Sequence, residues 1–253
     1  MQPHDVDVSI KKAANLIRGS DYIVAFTGAG ISVESGIPPF RGEGGLWEKY
    51  DPGLFDISYF MQNPKKSWKL LKQIFLDLFG KVEPHKAHTV IAQLQKAGKI
   101  KAVITQNIDN LHQEAGSDYV LEFHGNSQYL VCMGCGAKSK IDEIDIDELP
   151  PRCESCTGIL KPDFIFFGEG IPQDAHQASI KEAQKADLFI IVGSTGIVMP
   201  AALIPFLAAE NGAAIIEINP NRSAYTDQIV DVFIEMKAGE AFDKLERQLN
   251  LGN

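Results

Sequence analysis

The sequence predicts an α/β fold: a parallel β-sheet covered by helices, with a smaller second domain inserted into it. Three observations predict it. Short apolar runs such as Tyr22–Phe26, Ala102–Thr105, Leu188–Val192 and Ile215–Ile218 alternate with segments whose apolar residues recur at helical spacing, the arrangement that covers a parallel sheet on both faces. Two stretches, 42–80 and 126–160, break the alternation. The length of 253 residues, with 45% hydrophobic and 23% charged residues, suits one large domain carrying an insertion and leaves enough apolar mass for a sizeable core.

Taken in order, Ile10, Ala13, Ala14 and Ile17 place a helix over 8–18, Tyr22–Phe26 form a strand, and Thr27-Gly28-Ala29-Gly30 form a glycine turn. A helix over 87–97, a strand at Ala102–Thr105, a short helix over 110–115 and a strand at Val120–Phe123 follow. Beyond residue 160 come a helix over 174–186, the strand Leu188–Val192, a helix over 200–210, the strand Ile215–Ile218, a strand over 231–235 and a final helix from about 239. The order of the strands is not legible in such a pattern. The excursion at 42–80 reads as loop and helix with exposed-looking aromatics (Trp47, Tyr50, Phe55, Tyr59, Phe60, Trp68), and the one at 126–160 holds every cysteine and the acidic segment IDEIDIDELPP. The expected division is a large domain from 1–40, 82–126 and 161–253, and a small one from a helical module, 41–81, and a cysteine module, 127–160. The cleft between the two is the expected ligand site.

Charge and hydropathy exclude several classes. Lys plus Arg number 24 against 33 Asp plus Glu, a formal charge of -9, which argues against binding a phosphate backbone and favours cationic partners such as Lys-rich proteins. Apolar runs such as Leu188–Val192 and Ala213–Ile216 are far shorter than the roughly 20 residues of a membrane span. The first residues show no apolar stretch between a basic start and a small-residue cleavage site. The expectation is a cytoplasmic protein that touches neither membrane nor nucleic acid.

The four cysteines form two pairs, Cys132-x-x-Cys135 and, after seventeen residues, Cys153-x-x-Cys156. Each pair offers two sulfurs to one ion, and two pairs complete a tetrahedral zinc site. Four thiolates leave no open coordination position, so the metal is expected to be structural. A redox role suits either pair alone, and the presence of the second opposes it. A nucleic-acid-binding ribbon is opposed by Asp142, Glu143, Asp145, Asp147 and Glu148 nearby.

Gly28-Ala29-Gly30 after a strand looks like the start of a dinucleotide-binding turn, where missing side chains let backbone N–H groups approach a pyrophosphate. The third glycine of that pattern falls at Val33, and no acidic residue ends a second strand about twenty residues on. A hydride-transferring dehydrogenase is therefore disfavoured, while a variant nucleotide fold and a plain tight turn both stay open.

The segment GAGISVESGIPPFRG (28–42) continues with Thr105-Gln106-Asn107-Ile108-Asp109-Asn110-Leu111-His112, His124-Gly125, the two cysteine pairs, Phe167-Gly168-Glu169, Gly193-Ser194-Thr195 and Ile218-Asn219. In that order, from about 20 to 245, the chain resembles the sirtuins, NAD-dependent protein-lysine deacylases, of a prokaryotic or archaeal-like form. The resemblance implies a Rossmann-like NAD domain with one structural zinc, and NAD consumed as a co-substrate. It implies that the amide oxygen of acyl-lysine attacks C1′ of the nicotinamide ribose and nicotinamide leaves. The products are lysine and O-acyl-ADP-ribose.

The resemblance also carries roles. His124 stands where the family has its general base, a task for which an unperturbed pKa of about 6.5 is apt. Asn107 orients the ribose or a water, Asp109 accepts hydrogen bonds from the nicotinamide carboxamide, and Gln106 contacts the ribose, with Ile108 beside them; the bland alternative is a helix N-cap. Gly28, Ala29, Gly30 and Val33 form the cofactor turn. Phe40 shields the ribose face, and Arg41 contacts the diphosphate or steadies the loop, in which Pro39 departs from the Asp or Thr of relatives. Gly193, Ser194, Thr195, Asn219 and Ala238 hold the phosphates and the adenosine half; Gly196 stands where Leu is frequent. Phe167, Gly168, Glu169 and Val198 receive the substrate peptide as an added strand.

Members that prefer succinyl or malonyl groups carry Tyr-x-x-Arg where this chain has Leu71 and Ile74, so acetyl or longer fatty acyl groups are implied, since a buried carboxylate lacks a partner; the two residues equally suit a helix's core face. Expected partners are acyl-lysine proteins, basic chromatin or metabolic proteins among them, met by a monomer. Two other classes stay open: a mono-ADP-ribosyltransferase, separated by product analysis, and a zinc-ribbon binding module in which His124 and Asn107 are idle.

Overall fold

The structure, a computed structural model, describes residues 3–42, 44–76 and 82–251. The expected helical stretch up to 80 therefore runs partly outside the described residues. Six strands, β1 (Ile23–Thr27), β2 (Ile100–Thr105), β3 (Val120–Glu122), β7 (Leu188–Val192), β8 (Ala214–Asn219) and β9 (Val232–Glu235), form one sheet in the order β3-β2-β1-β7-β8-β9, with every neighbouring pair parallel. Three more, β4 (Gly125–Cys132), β5 (Lys138–Lys140) and β6 (Leu160–Phe164), form an antiparallel sheet in the order β5-β4-β6.

The large sheet has the pattern its sequence demands. β1 and β7 are buried at all five positions, so no polar face exists and the strands are continuous apolar runs. On one face, Ile10, Ala13, Ala14 and Ile17 of helix Pro3–Gly19 pack with Ala87, Val90, Ile91 and Leu94 of helix Lys86–Lys96 and Ala241, Phe242 and Leu245 of helix Ala238–Leu249. The other face buries Phe26, Phe189 and Ile191 under helices Gln173–Lys185 and Ile204–Glu210. The predicted helix over 200–210 begins as a short 3-10 turn, Ala201–Leu203, with Pro205 in the first turn of the helix proper, where its missing N–H costs nothing.

The chain starts in the middle of this sheet, runs outward through β2 and β3, and returns to lay β7, β8 and β9 on the other side of β1. The crevice outside the carboxyl ends of β1 and β7 is thus a topological switch point, the place where open α/β sheets take ligands.

The second core lies between the small sheet and helices Ile57–Gln62 and Pro64–Leu71. Here the structure corrects a sequence expectation. Phe55, Phe60 and Trp68, which look exposed in a polar stretch, are buried, and Tyr50, Trp47 and Tyr59 are half-buried. Trp68 is fully enclosed and its indole N–H donates to the carbonyl of Leu160 at 2.8 Å, the partner a buried indole requires. Leu71 and Ile74 join this core.

Candidate active site

Two glycine turns meet at the switch point. The N–H of Gly30 donates to the carbonyl of Gly193 at 2.9 Å. A Cβ on Gly30 would sit 2.6 Å from Gly193 Cα, and Gly193, at φ +63°, would place one 2.3 Å from the nitrogen of Ile31. The turns touch backbone to backbone, which only glycine permits. They open a cleft of about 860 Å³, within the range of small-molecule sites.

Most of the expected cofactor residues line it: Gly28, Ala29, Gly30 and Val33 after β1, Phe40 and Arg41 on the following loop, Gln106, Asn107 and Ile108 after β2, Gly193, Ser194 and Thr195 after β7, Asn219 at the end of β8, and Ala238 at a helix start. His124, Phe167, Gly168, Glu169 and Val198 line it too. Asp109 does not: it is buried behind the wall, its carboxylate accepting from Ser32 Oγ at 2.6 Å and from the N–H of Leu111 at 3.1 Å. Burial raises its pKa above the usual carboxylate value, against those hydrogen bonds. Leu71 and Ile74 are likewise absent from the lining, so their apolar character serves the small core.

The polar groups are held by one another. Asn107 Nδ2 donates to Ser32 Oγ at 3.0 Å, which links it through Ser32 to Asp109. Gln106 Nε2 donates to Ser194 Oγ at 2.9 Å and ties the end of β2 to the turn after β7. Asn219 uses its amide N–H groups on the carbonyl of Ser194 (2.9 Å) and on the buried Glu217 (2.8 Å), whose other oxygen accepts from Thr226 Oγ1 at 2.6 Å. Its Oδ1 is left as an acceptor suited to a sugar hydroxyl. Ser32 and Glu217 were not singled out in the sequence. Ser32 lies inside the glycine segment that was, whereas Glu217 reads as one polar residue in an apolar strand.

His124 donates from Nδ1 to the carbonyl of Gln106 at 3.0 Å, the tautomer that leaves Nε2 unprotonated, and burial holds its pKa below the ordinary histidine value. A neutral imidazole with a free ring nitrogen on a cleft wall is equipped to accept a proton. Three other histidines, His85, His88 and His112, are structural. His85 caps helix Lys86–Lys96, accepting from the N–H of Ala87 and donating to the carbonyl of Ile31. His88 and His112 are buried with rings 5.0 Å apart, and burial pushes their pKa values down to about 2 and about 3.

The aromatic wall is built around Trp47 and Phe55 of the small module, with Phe40 and Phe167 joining from the large one. Phe40 packs on Trp47 (5.3 Å between ring centres), Trp47 on Phe55 (5.1 Å) and on Phe167 (6.2 Å). Arg41 is exposed at the rim. Phe167 has both backbone groups engaged, its N–H with the carbonyl of Phe55 (2.9 Å) and its carbonyl with the N–H of Ile57 (3.0 Å). The carbonyl of Val198 accepts from the N–H of Ala202 at 2.9 Å. Gly196 has φ +73°, and a Cβ there would meet the Tyr225 ring at 2.9 Å, so the ring fills the space a side chain would need.

The cysteines form a second, separate centre. Cys132 ends β4, Cys135 follows in the turn to β5, and Cys153 and Cys156 lie in the turn before β6. Their sulfurs all lie within 4.8 Å of one another, with Cys132 and Cys156 at 3.4 Å and Cys135 and Cys153 at 3.8 Å. Zinc–sulfur bonds of about 2.3 Å in a tetrahedron place sulfurs about 3.8 Å apart. Backbone N–H groups of Gly134 and Cys135 point at Cys132 Sγ (3.3 and 3.5 Å), and a Cβ on Gly158 would come within 2.9 Å of that sulfur. Donor type, spacing and cradle all fit zinc.

Comparison with known proteins bears on the whole chain. Residues 28–200 match the model of the Sir2 family. The chain is 43% identical over 237 residues to the NAD-dependent protein deacylase 2 of Pyrobaculum aerophilum, covering 93% of this chain and 94% of that one. A structure described as the basis for the mechanism and regulation of Sir2 enzymes superimposes with TM-score 0.89 at 43% identity, over 96% of this chain and 98% of that chain. One described as Sir2–p53 peptide–NAD+ does so with TM-score 0.89 at 34% identity, over 96% and 99%. With the switch-point cleft, its paired glycine turns and the four-cysteine centre in place, the chain belongs to the Sir2 family.

Proposed function

We propose that the protein is an NAD-dependent protein-lysine deacylase, moving the acyl group of an acyl-lysine onto the ADP-ribose of NAD and releasing nicotinamide, O-acyl-ADP-ribose and the free lysine. One observation carries the reading: a single cleft joins a dinucleotide turn, Asn107 and a neutral His124 whose Nδ1 is already committed, while the metal donors form a closed set apart from it, at one end of the antiparallel sheet. A four-thiolate zinc has no position for water and stabilises the fold. Bound NAD supplies the electrophile, its nicotinamide-bearing C1′.

The chain's own groups then have distinct tasks. The turns at Gly28–Gly30 and Gly193–Thr195 receive the diphosphate, and Asn219 Oδ1 accepts from a ribose hydroxyl. Asn107, fixed through Ser32 to Asp109, orients the nicotinamide ribose, and Phe40 covers it from solvent. His124 Nε2 takes a proton from a ribose hydroxyl, and the hydrogen bond from Nδ1 to Gln106 sets its direction. Because burial lowers the His124 pKa, the base stays available to a pH below 6.5, and activity falls only beneath that. The peptide lies between Phe167–Glu169 and Val198, and acetyl or longer fatty acyl groups are the expected cargo.

The large NAD domain is drawn from 1–40, 82–126 and 161–253, and the small one from 41–81 and 127–160; all six parallel strands fall in the first set, and β6 pairs with β4 at the joint. Among the described residues no helix is long and apolar enough to cross a membrane. The acidic balance, -9, supports cationic protein partners over nucleic acid, and the reading includes a monomer in the cytoplasm.

Mass spectrometry after incubation with NAD and matched acetyl-, succinyl- and myristoyl-lysine peptides tests the proposal. Free lysine peptide with equal nicotinamide and O-acyl-ADP-ribose is expected, and the yields rank the three acyl groups. NAD cleavage that labels protein with ADP-ribose and leaves acyl-lysine intact would replace the reading with that of a transferase.

A further inference from the structure

Lys161 is the one described lysine whose side chain is sealed inside the protein: it is 3% exposed, on β6. An ammonium has three donors and no acceptor, and Lys161 Nζ has three oxygens around it: the carbonyl of Pro162 at 2.8 Å, the carbonyl of Phe164 at 2.7 Å and Glu169 Oε2 at 3.0 Å. The ring of Phe166 lies 4.3 Å from it, a cation–π contact in a dry setting. Burial opposes the charge and lowers the pKa, and the carboxylate of Glu169 works against that shift.

The same Glu169 oxygen accepts from the N–H of Phe166 at 2.7 Å, and the N–H of Glu169 donates to the carbonyl of Phe166 at 3.1 Å. The carboxylate oxygen is therefore committed to Lys161 and to the turn's own backbone. The segment it closes has two outward attachments. The N–H of Ile165 donates to the carbonyl of His124 at 2.8 Å, and Phe167 is bonded on both backbone groups to Phe55 and Ile57. One buried cation thus sits at the back of the turn that connects the base to the aromatic wall.

We propose that Lys161 is a positioning residue for acyl-lysine peptides: through Glu169 and the carbonyls of Pro162 and Phe164 it fixes the turn 164–169 that forms the peptide side of the cleft, without touching peptide or NAD. This rests on the deacylase reading above. Loss of the cation leaves the half-buried Glu169 and the carbonyls of Pro162 and Phe164 without their common donor and frees the turn, while the NAD turns after β1, β7 and β8 keep their own bonds. Arginine keeps the charge, but its planar fork does not match three converging oxygens.

The test uses the full zinc-loaded chain with Lys161→Met, Lys161→Arg and Glu169→Gln. Deacylation by the unaltered protein is measured first, and its absence counts against the deacylase reading alone, because amide hydrogen exchange needs no substrate. Exchange over 164–169 is expected to quicken about tenfold or more in Lys161→Met with Leu188–Val192 unchanged. In active protein the KM for acetyl-lysine peptide rises about tenfold while that for NAD stays within about twofold, and Lys161→Arg recovers part of the loss. If Lys161→Met does not fold, Glu169→Gln carries both readouts with an effect of about three- to tenfold. Unchanged exchange over 164–169, or exchange and both KM values rising together across the molecule, overturns the proposal.

Discussion

In the large sheet β1 and β7 bury every side chain between two helical layers, whereas the small module has short helices, a three-stranded sheet and one compact core that includes Trp68, Cys132 and Cys153. The first region draws its stability from area, at about 25 cal/mol per Å² of apolar surface. The second has one core in place of two and adds a cysteine set fit for a metal clamp between the segments carrying Cys132 and Cys135 and those carrying Cys153 and Cys156. Each solution leaves a different mark in sequence: periodicity in the one, isolated Cys-x-x-Cys pairs in the other. The cleft lies where the two meet, so the large sheet presents the glycine turns and the small module presents Trp47 and Phe55 of the aromatic wall.

Zinc removal breaks the comparison most sharply. Structural zinc contributes about 10–16 kcal/mol of apparent binding energy, so chelation is expected to unfold the small module and expose Trp68, read as a red shift of its emission, with sheet ellipticity retained. Simultaneous loss of both regions would show that they fold as one unit. At the junction, His124→Ala should lower deacylation by about 10²–10⁴, the contribution of a general base, with melting and zinc content unchanged; near-normal turnover would remove His124 from the chemistry. Within the large region, Gly30→Val forces atoms into the backbone of Gly193 and should cost about 1–3 kcal/mol in denaturant unfolding, together with NAD affinity.

The remaining effect is one of pH. His88 and His112, neutral and buried with pKa values of about 2 and about 3, take up protons only on unfolding. Below their unfolded pKa of about 6.5 the unfolded state binds more protons, so stability present above that pH is lost as pH falls, at about 1.4 kcal/mol per unit for each. Urea unfolding between pH 7 and 5 measures the slope. A flat profile would place both rings in contact with water.

The two regions were also unequally legible. The strand Leu188–Val192 and the helices on either side of it stand where hydrophobic period puts them, because burial on both faces leaves no freedom in the pattern. The four cysteines were legible because thiolate spacing is fixed by one ion. The aromatics of 42–80 were not, since a residue such as Phe60 or Trp68 sits among polar neighbours and its burial depends on helices and a sheet far away in the chain. Ser32, Glu217 and Lys161 were invisible as a group: each is one polar residue whose partners, Asn107 and Asp109, Asn219 and Thr226, Glu169 and two carbonyls, are supplied by folding.

The sequence by itself determined the alternation of strand and helix, the metal set, the glycine turns and the order of motifs that marks the family, since each rests on local spacing or on residues that act through their own backbone. Only the tertiary structure decided the strand order, and with it the switch point that brings Gly30 against Gly193. It alone decided which histidine faces the cleft and which are buried, the pairing of Glu169 with Lys161 and the place of Asp109 behind the wall. Those depend on contacts between segments distant in the chain, whose energies are set by burial and direction, and neither is a property of a residue's neighbours in sequence.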